Sequence, residues 1–190
     1  MVPRRLGFNI YQVGTAVALL SITSFFVALI LVYLFSFQQI PMVRHVRIPW
    51  TLWASTGVLV ASSITLEAAR YSLRRGRVED YRSRIQLTGG LGLLFLLLQT
   101  ASLIELLNAG VYMASNPRGS VYYVFTAIHG AHLLGGLFWL TYLLKRLRTV
   151  RPLIEQDLRR QRNVNGAGVL YWHFIGVLWI VLFALLLRWS

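Results

Sequence analysis

Five long apolar runs, separated by short charged or turn-rich connections, constrain this chain more than any other feature. They cover roughly residues 14–38, 50–70, 85–107, 119–144 and 166–187. Each is close to the ~20 residues that a helix needs to cross a ~30 Å hydrocarbon core. Lipid offers the backbone no hydrogen-bonding partner, so runs of this length are read as helices. Of the 190 residues, 56% are hydrophobic and 13% charged, a balance a soluble domain does not carry. The expected fold is therefore all-α. It is a polytopic membrane helix bundle of five transmembrane helices, with residues 1–190 forming a single membrane domain.

The charge is strongly basic, with a net +13. Its distribution points to membrane topology. Arg4 and Arg5 precede the first run. Arg70, Arg74, Arg75, Arg77, Arg82 and Arg84 cluster after the second. Lys145, Arg146, Arg148, Arg151, Arg159, Arg160 and Arg162 follow the fourth. Together these are 15 of the 19 basic residues, and only Arg44, Arg47, Arg118 and Arg188 fall on the other side. Such asymmetry places the N-terminus and the two arginine-rich loops in the cytoplasm and the C-terminus outside. Attraction of those loops to anionic lipid accounts for the charge, and no nucleic-acid partner is expected. The chain has no cysteine, which excludes a disulfide scaffold, cysteine-ligated metal and covalently attached c-type haem. No cleaved signal peptide is read at the N-terminus.

Polar residues inside the apolar runs are the candidate functional residues, because such groups must find partners in a membrane. Ser21, Thr23 and Ser24 in the first run can bond back to carbonyls one turn earlier or reach a neighbouring helix, and packing is their expected role. In the second run Gly57, Ala61, Ser62 and Ser63 offer a small-residue face for close helix approach. Glu67 lies near its arginine-rich end, with Arg70 three residues on as an ion-pair partner and Tyr71 four residues on. Gln99 falls near the middle of the third run and calls for a partner on another helix. Glu105 is read as an interfacial carboxylate. A short surface helix is expected around Pro152–Arg162. Trp50 and Trp189 occupy interface positions, and His45 lies in a loop.

The fourth run carries His129 and His132, three residues apart, with Thr126 and the small residues Gly130, Gly135 and Gly136. The fifth carries Tyr171, Trp172, His173 and Phe174. Paired histidines on two helices can ligate haem when they share a depth. Counted from the cytoplasmic ends, His173 lies ~10 Å in, His132 ~20 Å and His129 ~24 Å. That offset is poor for one haem plane. The alternative is that each imidazole bonds a carbonyl, hydroxyl or carboxylate on another helix. No catalytic, cofactor-binding or metal-ligating residue is assigned. Thr126, His129, His132, His173, Gln99, Trp172, Glu67 and Arg70 are assigned as structural polar anchors between helices.

These residues also carry a resemblance. Thr126-Ala-Ile-His129-Gly-Ala-His132-Leu-Leu-Gly135-Gly136 resembles the Thr-Gly-Phe-His-Gly-x-His-x-x-x-Gly segment of subunit III of the haem–copper oxidases. The preceding Gly119-Ser120-Val-Tyr-Tyr is similar to that family's Gly-Ser-x-Phe-Tyr. Tyr171-Trp172-His173-Phe174, followed by Trp179, matches the last helix of the family. Ala61-Ser62-Ser63-Ile-Thr65, Arg75-Gly76 and the Leu-Gly-x-x-Phe stretch ending at Gln99 fit in order. The resemblance spans nearly the whole chain and corresponds to the short five-helix bacterial form.

The resemblance implies a non-catalytic subunit of a bacterial aerobic respiratory oxidase in the inner (plasma) membrane. Such a subunit holds no cofactor of its own. It packs directly against haem–copper subunit I, which carries the haem and copper, and contacts other oxidase subunits. It binds phospholipid and supports oxygen reduction coupled to proton translocation. Three family carboxylates are absent: Ile22, Ser102 and Gly176 stand in their places, so the expected role is assembly and packing more than proton handling. Two other readings are a haem b- or quinone-binding membrane anchor, and an accessory subunit linked to nitric oxide reductase.

Overall fold

The computed structural model describes residues 10–37, 48–110, 117–147 and 155–188. They form five α-helices, and no strand occurs among the described residues: α1 (Ile10–Phe37), α2 (Trp50–Arg74), α3 (Val78–Asn108), α4 (Pro117–Leu147) and α5 (Glu155–Leu187). All five contain a stretch long and apolar enough to cross a membrane. His45 and Trp189 lie outside the described residues.

The tightest pairing is α2 with α3, and its cause is local. Gly76 has φ +73°, a conformation that glycine adopts without strain. Around it the Arg77 N–H donates to the Ser72 carbonyl at 3.0 Å and the Gly76 N–H to the Leu73 carbonyl at 3.1 Å. This is the double bond pattern that closes a helix with glycine just past its end. The chain reverses at once, and Glu79 and Asp80 fall in the first turn of α3, where the helix dipole favours negative charge. So α3 begins at Val78, well ahead of the apolar boundary at residue 85. Its first two turns are helical but charged, which hydropathy does not register.

A similar difference appears at α5. Of the surface helix expected around Pro152–Arg162, residues 152–154 lie outside the described residues, and from Glu155 onward it is continuous with the last span. The helix runs unbroken from Glu155 to Leu187, 33 residues or ~50 Å, longer than a hydrocarbon core. The Gln161–Val169 stretch, polar in sequence, is mostly buried: Gln161, Val164, Asn165, Ala167 and Val169 all face inward. Tertiary packing on α3 and α4 draws it into the bundle.

The core is built around α5, which packs on α1, α2 and α4. Its Trp172 and Trp179 are the two largest fully buried side chains. One cluster joins α2, α3, α4 and α5 through Leu59, Leu66, Ile85, Phe95, Leu133, Leu140, Trp172, Ile175 and Trp179. A smaller one holds α1, through Phe26 and Tyr33, against Phe125 and Leu182. The rest of α1 is largely exposed, with Val17, Leu20 and Phe35 projecting outward. Its hydroxyls are satisfied internally: Ser21, Thr23 and Ser24 donate to the carbonyls of Val17, Leu19 and Leu20. Exposed apolar side chains also line α2 (Val60, Ile64), α3 (Leu93, Leu97) and α4 (Leu134, Phe138), as a lipid-facing surface requires.

Candidate functional site

The polar side chains inside the spans form cross-links between helices at successive depths. Nearest the arginine-rich end, the Tyr81 hydroxyl donates to Asn165 Oδ1 at 2.9 Å, tying α3 to α5. Arg84 Nη1 donates to the Ala68 carbonyl at 2.6 Å, and the Thr65 and Thr88 hydroxyls lie 2.9 Å apart. Arg162 Nη2 reaches the Arg74 carbonyl at 3.2 Å. Each bond removes a polar group from lipid and fixes the register of one helix on another.

At a similar level His173 Nε2 lies 3.0 Å from Glu67 Oε1, joining α5 to α2. Glu67 also meets Arg70 at 3.2 Å on its own helix. The side chains are 47% exposed for Glu67 and 36% for His173. The ion pair with Arg70 is where spacing places it, and His173 bonds a carboxylate on another helix, as one reading of the histidines expects, although that reading does not name Glu67 as the partner. Its signal was available: both residues lie about two turns from the arginine-rich ends of antiparallel spans. Tyr71 does not join Glu67, and its ring carries Arg75, 4.3 Å above the centroid.

Deeper in, the Trp172 indole N–H donates to Ser62 Oγ at 3.1 Å. Its ring lies against Gly92 of α3 and Gly136 of α4: a Cβ built at either glycine would fall 2.8 Å or 3.1 Å from ring carbons. One side chain therefore locks four helices. Of the small-residue face on α2, Ser62 is buried by this contact, while Gly57 faces open space.

Toward the opposite end lies a layer of polar and aromatic groups. Gln99 Nε2 donates to Ser55 Oγ at 2.8 Å, giving Gln99 its partner on α2. The Trp179 N–H donates to Thr56 Oγ1 at 3.1 Å. The Trp179 ring lies 5.2 Å from that of His129, and Phe95 closes on both, at 5.3 Å and 5.9 Å. Sequence reasoning missed Ser55, Thr56, Tyr81, Thr88 and Asn165. Hydroxyls bond their own helix as readily as a neighbour, and Asn165 stands in a stretch that reads as loop.

The two histidines of α4 depart from the expected cross-helix bonding. His132 Nδ1 lies 2.8 Å from the Ile128 carbonyl of its own helix. It contributes to packing through its ring, 5.7 Å from Phe26 of α1, and through its backbone carbonyl, which accepts the Tyr171 hydroxyl at 2.9 Å. His129 is fully buried, and neither ring nitrogen has a hydrogen-bond partner. Thr126, expected to bond nearby, also has an unpartnered hydroxyl. His129 and His173 occupy different levels, His129 beside Trp179 and His173 beside Glu67. Among the described residues no three or more of His, Asp and Glu gather into a metal-binding group.

Ile22, Ser102 and Gly176 stand at the positions of the three absent carboxylates. Ile22 packs beside the Phe26–Phe125 cluster, and Ser102 Oγ donates to the Gln99 carbonyl at 2.8 Å. Gly176 is buried, with Ser63 Oγ 3.8 Å from where its Cβ would stand. Glu105 is half-buried toward the end of α3.

Comparison with known proteins places this arrangement in a lineage. Residues 11–190 match the family model described as Cytochrome c oxidase subunit III. The chain is 31% identical over 186 residues to the probable cytochrome c oxidase subunit 3 of Mycobacterium leprae, covering 94% of this chain and 87% of the relative. It is 30% identical over 182 residues to the cytochrome c oxidase subunit 3 of Corynebacterium diphtheriae, covering 92% and 86%. The protein of that name from Xenopus laevis is 30% identical over 136 residues, 72% of this chain and 49% of the relative.

Proposed function

The chain belongs to the cytochrome c oxidase subunit III family, a non-catalytic part of an oxidoreductase complex, and we propose that it packs directly against the haem–copper subunit I of a bacterial terminal oxidase. In this reading it is multi-pass in the bacterial plasma membrane, with its arginine-rich end in the cytoplasm. It holds phospholipid on its apolar faces and stabilises the catalytic subunit, whose haem and copper perform oxygen reduction coupled to proton translocation. Its own residues 1–190 act as one membrane domain.

The observation that carries this reading is where the polar groups go. Trp172, Gln99, Tyr81 and His173 are each hydrogen-bonded to a side chain on another helix. Such bonds make a rigid, preorganised surface. Gln99, Trp172, His173, Glu67 and Arg70 are then anchors, while His129 and His132 serve through ring packing. Ile22, Ser102 and Gly176 are themselves not ionisable, which supports assembly over proton handling. The relatives' names favour the oxidase over a nitric oxide reductase partner or a haem b or quinone anchor.

The test is purification through this chain from native membranes in mild detergent. A haem–copper subunit should co-purify and crosslink to it, with phospholipid retained. A stable isolated chain with no oxidase partner would sink the proposal.

A further inference from the structure

We infer that the layer between α3 and α4 holds a bound water, bridging His129, Thr126 and Gln99 inside the bundle. The three side chains are 1%, 6% and 4% exposed. Each carries hydrogen-bonding atoms without a partner: both ring nitrogens of His129, Thr126 Oγ1 and Gln99 Oε1. Many hydroxyls in these spans return to a carbonyl of their own helix, as in Ser62, Thr88, Thr100, Ser102 and Thr141, although Thr51 and Ser72 on α2 do not. Thr126 does not either.

The helix register brings the three together. The Phe95 ring lies 5.9 Å from the His129 ring, and a Cβ at Gly130 would stand 3.8 Å from Leu96 Cδ2. Lower on α3, Gly92 meets Leu137. Numbers that rise on α3 therefore fall on α4, and the two helices run antiparallel. Gln99 is four residues beyond Phe95 and Thr126 three before His129, so each lies one turn along the same face in the same direction. They meet at one level.

The donor and acceptor inventory also fits. Ser55 Oγ donates to the Leu52 carbonyl, so it must accept from Gln99, which fixes the amide with Nε2 toward Ser55 and leaves Oε1 as the free acceptor. Neutral imidazole offers one N–H and one acceptor nitrogen, and a threonine hydroxyl offers one of each. A water donating to Gln99 Oε1 and accepting from Thr126 or His129 satisfies two to three of these groups, the usual number for a buried water. Left dry, each group would bear the penalty of an unpaired polar atom in a low-dielectric interior.

The test is a high-resolution cryo-EM map of the native membrane assembly containing this chain, with matched maps for Thr126→Val and Thr126→Ser. The expected result is a compact density within ~3.2 Å of polar atoms from at least two of the three side chains. It should vanish in Thr126→Val and persist in Thr126→Ser. Ordered side chains with no density between them, or bonded directly to one another, would overturn the inference. So would an elongated density, which denotes a lipid tail, or a feature unchanged in Thr126→Val. Should Thr126→Val fail to assemble, the wild-type and Thr126→Ser maps decide.

Discussion

Gly92 has no side chain because the Trp172 indole occupies that space. A Cβ at Gly92 would lie 2.8 Å from Trp172 Cη2 and 2.9 Å from Leu137 Cδ2. The indole cannot withdraw easily, since Trp172 is fully buried and held by its bond to Ser62. Gly92→Ala should therefore destabilise the bundle by about 1–3 kcal/mol, the range for overpacking a filled core. Gly90 on the same helix meets nothing within 4 Å. Gly90→Ala should be neutral or stabilising by up to about 1 kcal/mol, from helix propensity alone. Thermal denaturation of the two variants in detergent checks the contrast; equal effects would remove the packing argument.

Two serines that look alike in sequence should behave differently. Ser21 is exposed on α1 and bonds only its own helix, so Ser21→Ala should change stability by less than about 0.5 kcal/mol. Ser62 accepts the N–H of a fully buried tryptophan. Ser62→Ala leaves that donor unpaired and should cost about 1–2 kcal/mol. Tryptophan fluorescence during unfolding measures both.

Tyr81 and Asn165 make a similar point through asymmetry. Their bond spans 2.9 Å between two buried side chains. Tyr81→Phe alone strands the Asn165 acceptor, with an expected loss of about 1–2 kcal/mol. Adding Asn165→Leu removes the stranded group, and the double variant should recover much of that loss. Chemical denaturation of the single and double variants decides it, and additive losses would count against a direct bond.

What the sequence made legible follows from physics that is local. Five spans can be read because hydrocarbon thickness sets a length and apolarity that few residues can disguise. Gln99 can be marked as needing a partner because an amide at that depth cannot remain alone. Its choice of Ser55 could not be read, since a hydroxyl bonds its own helix as readily as a neighbour. The start of α3 at Val78 and the burial of Gln161 and Asn165 were hidden for another reason. Those turns are helical by capping and tertiary packing, while hydropathy reports only partition into lipid. His129 shows the opposite failure. Its residue type suggests a cross-helix bond, yet its ring lies among Phe95 and Trp179.

The pairing of Glu67 with His173 gives the last prediction. The two atoms are 3.0 Å apart, joining α2 to α5 beside the arginine-rich end. Both side chains are more than a third exposed, so screening limits what the bond contributes. Arg70, 3.2 Å from the same carboxylate, keeps Glu67 partnered when His173 is removed. The loss from His173→Ala should then be modest, and a Glu67→Gln/His173→Ala double-mutant cycle should give a coupling of about 0.5–1 kcal/mol. On an Arg70→Ala background that coupling should grow, because of these two partners only His173 then remains for the Glu67 carboxylate. Zero coupling in the first cycle would mean that packing of the Tyr171–Phe174 stretch, and not the Glu67–His173 hydrogen bond, holds α5 to α2 at this level.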